Sequence, residues 1–184
     1  WKGRFDEYYS KIRKCVDSTK SIIMTYENEP VMAVFHSMSA GATRASSDVW
    51  ERDIAYLKSR SCEFEKSAPN FETITEIPLD EFKAKIQSIG CDPSVFKICE
   101  VQTGGYVNKI AFGNKIITGD DIRQLFSLRS TSFNMTVSDN KVIFDVKGYG
   151  HGVGMSQYGA NAMAKDGCNY QEILAYYYPN TSLQ

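Results

Sequence analysis

The sequence predicts an α+β fold: a single domain over residues 1–184, built on antiparallel β-sheet with several short helices. Three observations predict it. Apolar residues recur at three- and four-residue spacing in several separated stretches. Between them, alternating apolar runs face each other across short turns rich in Gly, Asn and Asp. A hydrophobic fraction of 42%, with 10 Phe, 11 Tyr and 2 Trp, is enough to fill the core such a domain needs.

The elements follow in order. Residues 4–20 read as a helix, with Phe5, Tyr8, Tyr9, Ile12, Cys15 and Val16 along one side. "SIIMTY" and "VMAVFHSMS" read as two strands of a hairpin around "ENEP", with "VMAVF" buried. "AGATRASSD" is a small-residue surface loop, and residues 50–78 read as irregular with short strand signals. "LDEFKAKIQSIG" is an amphipathic helix on Phe82, Ile86 and Ile89, ended by Gly90. "YVNKIAF" and "KIITG" form a hairpin around Gly113-Asn114. "DDIRQLFSL" reads as a short helix, and "FNMTV-SDN-KVIFDV" as a further hairpin. A helix over 157–166, stopped by Gly167, precedes the helical spacing of "YQEILAYYY", whose run Tyr176-Tyr177-Tyr178 reads as core.

Charge is nearly balanced, at 21 basic and 22 acidic residues, and no basic stripe is present to track phosphates, so nucleic acid is not an expected partner. No apolar run approaches the ~20 residues that span a bilayer. The polar start "WKGRFDEYYSKIRK" is unlike a signal peptide, and it opens on Trp1. The expectation is a piece of a longer product, with any export signal or membrane anchor in a segment outside this chain. Five cysteines at 15, 62, 91, 99 and 168 show no C-x-x-C spacing and read as free, mostly buried thiols. With only two histidines, no metal and no cofactor is expected.

Two stretches ask for more than architecture. "GYGHGVGMSQYGA", residues 148–160, surrounds His151 with glycines and runs into a helix that Ser156 can cap. Free amides, a hydroxyl, a carboxamide and a phenol beside an imidazole suit a neutral, hydroxyl-rich ligand such as a sugar. The plainer alternative is a tight strand-to-helix connection. A phosphate loop is not indicated, since neither a GxxxxGK[ST] nor a strand-anchored GxGxxG is present. "FHSMSAGATRASSDVW" places His36 beside Ser37 on a strand, where neighbours point to opposite faces, so His36 is not set to be that serine's base. No G-x-S-x-G elbow is present, and an independent Ser/His hydrolase remains a distant reading.

Together "FHSMSAGAT…DVW…YLKS", "LRSTSF" and "GYGHGVGMSQYGANAMAKDGCNYQEILAYYYPNT" resemble the stage II sporulation protein D family, which shares its domain with amidase-enhancer proteins. The order and spacing cover nearly the whole chain. The resemblance implies a lytic transglycosylase that cuts peptidoglycan glycan strands after N-acetylmuramic acid, giving 1,6-anhydro products. It implies engulfment during sporulation, an extracytoplasmic place between mother-cell and forespore membranes, and other wall-remodelling sporulation proteins as partners. A single glutamate can serve as both acid and base in such a reaction, because the sugar's own C6 hydroxyl replaces water.

In the family that glutamate lies on an E-A-L-K-A-Q-A helix before the His-Ser motif, which nothing here matches. The catalytic acid is therefore expected upstream of Trp1, and any family metal site with it. By the same resemblance His36, Ser37, Ser39 and Thr43 line one wall of a cleft. Arg129 and Ser130 approach from "LRSTSF", with Arg129 meeting the lactyl carboxylate. His151, Gly152, Met155, Ser156, Gln157 and Tyr158 form the other wall, and Tyr149 and Tyr158 stack on pyranose faces. Ala40 stands where the family usually has Gly. The non-catalytic alternative is an enhancer that holds peptidoglycan for a partner amidase.

Overall fold

The structure, a computed structural model, describes residues 3–50 and 52–184. It is α+β with mostly antiparallel strands, as the sequence predicts. The chain divides into two compact units, Trp1–Met32 with Thr181–Gln184, and Ala33–Asn180.

In the smaller unit, helix α1 (Phe5–Ser18) has the predicted apolar spacing but buries none of its residues. Strands β1 (Met24–Tyr26) and β2 (Glu29–Pro30) form a hairpin whose two turn residues, Glu27 and Asn28, both have positive φ, the mirror-image turn that suits strand twist. The other edge of β1 pairs with β11 (Ser182–Leu183).

The predicted long strand "VMAVFHSMS" is corrected. The hairpin partner β2 ends at Pro30, with one further backbone bond from Val31 N–H to Met24 O (3.0 Å). Only Phe35–His36 is extended, as β3, and it pairs in parallel with β10 (Met155–Ser156). Met32 and Phe35 are half-exposed, so the apolar run is not the buried strand expected. The Val34 carbonyl accepts from Met155 N–H (3.2 Å) and from the Tyr178 hydroxyl (2.7 Å). Distant pairing has overridden local preference.

In the larger unit a short helix α2 (Ser47–Trp50) precedes the sheet. The sheet has six strands in the order β4 (Glu72–Pro78), β9 (Lys141–Lys147), β8 (Ser132–Ser138), β6 (Tyr106–Phe112) and β5 (Phe96–Gln102), with β7 (Lys115–Thr118) also on β6. The two predicted hairpins form: β6–β7 turns at Gly113-Asn114 as expected, and β8–β9 turns at Asp139-Asn140, with Ser138 paired to Lys141 and so part of the strand. Strand β4 lies where the sequence reads as irregular: two of its half-buried positions are threonines, Thr73 and Thr75, so no apolar alternation marks it. Helices α3 (Leu79–Ser88) and α4 (Gly119–Leu125) contribute Phe82, Ile86 and Ile122 to the core. There Phe82 meets the rings of Phe96, Phe112, Phe126 and Phe144 at centroid distances of 5.2–6.4 Å. Each such side chain contributes about 1.5–3 kcal/mol by burial.

Helices α5 (Gln157–Lys165) and α6 (Tyr170–Tyr177) close the unit; Tyr177 and Tyr178 are buried as expected, while Tyr176 is only half-buried. Among the described residues no helix is long and apolar enough to cross a membrane. All five cysteines are free, but only Cys62 and Cys91 are buried.

Candidate functional site

The two singled-out stretches cross each other. Parallel β3–β10 pairing sets them side by side. Met38 and Tyr149 then exchange backbone hydrogen bonds of 3.0 and 2.7 Å, Arg44 N–H donates to Gly152 O (2.8 Å), and Tyr158 N–H donates to Ser37 O (3.0 Å). Glycine is required because the backbones nearly touch. A Cβ on Gly154 would lie 2.0 Å from the Val34 oxygen, and one on Gly150 would lie 2.8 Å from the His36 Cβ, both at positive φ. The loose backbone around His151 is therefore a close packing of two chains.

The imidazoles are held by that backbone. His151 Nδ1 accepts from Val153 N–H (3.0 Å), which assigns the proton to Nε2, donating to Phe35 O (3.1 Å). Burial, opposed by that hydrogen bond, lowers its pKa. His36 is fully buried, with Nδ1 donating to Val153 O (3.1 Å) and Nε2 bonded to no described residue. Burial pushes its pKa down to about 4. The rings lie 5.7 Å apart, and Trp50 sits 5.9 Å from His151. Both imidazoles are neutral near pH 7, and both nitrogens of His151 are occupied. No serine hydroxyl hydrogen-bonds either ring among the described residues, so a Ser/His nucleophile pair is not formed.

Several predicted wall residues prove to be interior, which corrects how they serve the site. Ser39 donates through Oγ (2.9 Å) and N–H (2.8 Å) to the carboxylate of Glu65. Thr43 Oγ1 accepts from Arg60 N–H (2.8 Å), and Ser130 Oγ donates to Lys147 O. Ser156 caps α5 by accepting from Gly159 N–H (3.2 Å), and it also donates to Ser37 O (3.4 Å). All four hydroxyls are buried and spent on the protein itself; His36 and Gly152 are buried as well, with His36 Nε2 left without a partner among the described residues. Of the remaining predicted residues, Gln157 and Tyr158 are exposed, and Ser37, Arg129, His151 and Met155 are half-buried. Arg129 lies over the Tyr149 ring at 4.6 Å, a cation–π contact. What faces solvent along the crossing is aromatic: Phe35, Trp50, Tyr149 and Tyr158 are each 39–57% exposed.

Sequence reasoning missed two residues that hold the crossing. Glu65 is buried, and burial raises its pKa against the hydrogen bonds from Ser156 and Ser39 that lower it. It ties the first loop to α5, where a Cβ on Gly159 would sit 2.5 Å from its Oε1. Arg44, 2% exposed, donates to Gln102 (3.0 Å) and Asp48 O (2.9 Å), pairs with Asp120 at 3.5 Å, and lies over the Tyr106 ring. Neither had a visible signal, because a lone Glu or Arg in a polar loop reads as solvated.

With this geometry in view, the chain can be set beside its relatives. The chain is 34% identical over its whole length to stage II sporulation protein D of Bacillus subtilis (strain 168), and 35% identical to that of Bacillus amyloliquefaciens, in each case spanning 54% of the relative. Over its whole length the chain is similar to stage II sporulation protein D. The chain thus spans about half the length of these curated relatives. A protein named amidase enhancer, also from Bacillus subtilis, is 24% identical over 95% of the chain and 32% of its own length. No family model matches the chain.

Proposed function

We propose that this chain forms the substrate-holding part of a sporulation cell-wall enzyme. That enzyme is a lytic transglycosylase cleaving peptidoglycan glycan strands after N-acetylmuramic acid, outside the cytoplasm between the mother-cell and forespore membranes. The observation that carries this reading is the whole-length similarity to two proteins of that name. The crossing supports it chemically. Exposed rings at Tyr149, Tyr158 and Trp50 suit the flat faces of pyranoses, Gln157 offers a carboxamide, and Arg129 offers a cation for a lactyl carboxylate.

The reaction needs an acid to protonate the leaving oxygen and then to take the C6 hydroxyl proton. Of the groups at the crossing, His151 is fully bonded, the carboxylate of Glu65 is buried and engaged by Ser39, and Asp48 accepts from Ala45 N–H (3.3 Å) in the turn that opens α2. In this reading the acid comes from another segment, and the loops bind and orient the strand.

The test is digestion of peptidoglycan stripped of stem peptides by the whole gene product, with products read by mass spectrometry. Anhydro-muramyl ends are expected. A protein that binds these glycans without releasing anhydro ends, yet accelerates an added amidase, would be the non-catalytic enhancer. That second reading has its own support in the relative named amidase enhancer.

A further inference from the structure

A groove of about 940 Å³ lies apart from the crossing, and none of the twelve predicted wall residues lines it. One side is the Ala40–Gly41–Ala42 loop and the segment through Glu63, Lys66 and Asn70; the other is the outer face of β8 and β9 with the Gly104–Gly105 turn. Its volume is that of a small-molecule site, but its lining is polar. The charges are largely cancelled within the wall: Lys66 pairs with Glu63, and Lys147 with Glu72 at 3.3 Å. Three carboxylates against two ammoniums leave one, Asp145.

Three groups remain unspent. The carboxamides of Asn70 and Asn134 form no side-chain hydrogen bond to another described residue. Asp145 Oδ1 is screened from solvent and accepts from none. A screened carboxylate oxygen without a donor is costly to keep, and a ligand hydroxyl or N–H would relieve that cost. Asn134 stands directly opposite Asp145 in the β8–β9 register, so an acceptor and a carboxamide are presented together on one sheet face. The loop walls are low. A side chain at Gly41 would crowd Glu63 Oε1 at 3.2 Å, and one at Gly105 would crowd Ser132 Oγ at 3.2 Å.

We propose that this groove is a second binding site, for an uncharged chain bearing hydroxyl and acetamido groups. Its identification as a stretch of glycan strand beyond the scissile bond rests on the function proposed above. The paired charges disfavour a polyion of either sign, while carboxamides and a single acceptor match alternating hydroxyl and amide groups. A strand seated both here and at the aromatic crossing would be gripped at two places.

The test is amide NMR titration of the 184-residue chain with the tetramer of β-1,4-linked N-acetylglucosamine, and in parallel with tri-lysine. The tetramer is expected to shift Asn70, Gly104, Gly105 and Asn134. Asn134→Trp, which fills the groove from an exposed strand position, should weaken those shifts at least tenfold. Asn70→Gly keeps the positive φ of 58° accessible while deleting the carboxamide, and should weaken them severalfold even if the tryptophan variant does not fold. Tetramer shifts confined to residues 149–158, no binding at millimolar concentration, or tri-lysine in the groove in place of the tetramer would each overturn the proposal. Anhydro products from the whole protein with an unshifted groove would sink this site and leave the function standing. Groove shifts from a protein that makes no such products would uphold the site alone.

Discussion

The sheet and the loop crossing of the larger unit are held together in opposite ways. The sheet is built from neighbouring hairpins over an interior of Phe, Ile and Val, where the interaction is area removed from water. The crossing joins residues more than 100 apart in sequence. Its interior is polar: Ser39, Thr43, Arg44, Ser46, Glu65, Ser130 and Ser156 are all at most 2% exposed. Apolar packing is non-directional and forgives small displacements, whereas a buried polar contact is worth having only if every partner is in place. The crossing is therefore the more exacting region atom by atom, although the sheet holds the larger core.

The sharpest way to break that contrast is one methyl group. Gly154→Ala puts a Cβ 2.0 Å from the Val34 carbonyl oxygen at a φ of +74°, so backbone must move and left-handed strain is added. Overpacking and strain together predict a loss of about 5 kcal/mol, read as a denaturant midpoint or as failure to recover folded protein. A loss under about 1 kcal/mol would mean that the crossing yields easily, and the comparison would fail. In the sheet the corresponding effect needs a whole ring. Phe82→Ala removes a side chain that touches four other phenylalanine rings, and it should cost about 4 kcal/mol.

The third effect separates the regions by pH. His36 has a folded pKa of about 4 against an unfolded 6.5, because burial disfavours the imidazolium. The resulting stability is fully present above pH 6.5 and is lost as pH falls toward 4. His151, lowered by burial as well, acts in the same direction. Glu65 acts oppositely. Its raised pKa favours the folded state below 4.5, a contribution lost as pH rises through the folded value. From pH 7.5 to 4.5 His36 alone predicts a loss of about 2.5 kcal/mol, measured by denaturation at each pH. His36→Gln should flatten that slope, while Phe82→Ala should leave it unchanged. An unaltered slope in His36→Gln would refute the assignment.

The same contrast explains what could be read in advance. The β6–β7 and β8–β9 hairpins, α3 and α4 were legible because local spacing and turn residues specify them and their neighbours in sequence are their neighbours in space. Strand β4 was hidden by its half-buried threonines. The glycines around His151 announced an unusual backbone, but not which chain they approach, since Val34 and His36 lie over a hundred residues away. That distance also made Ser39, Thr43, Ser130 and Ser156 look like ligand contacts when they bond the protein's own backbone and Glu65. Polar residue type shows that a hydrogen bond will be made; only the fold shows to what.

The smallest effect tells which part of the glycine requirement matters. Gly167 follows α5 with φ +96°, and a Cβ there would meet nothing within 4 Å. Gly167→Ala thus carries the left-handed penalty without the collision and should cost about 1 kcal/mol, a shift of a few degrees in Tm. If it does, most of the Gly154→Ala loss is contact between two backbones, and the crossing is a packing constraint. If Gly167→Ala matches Gly154→Ala, the penalty is conformational at both places, and closeness of the two chains is not what demands glycine beside the histidine.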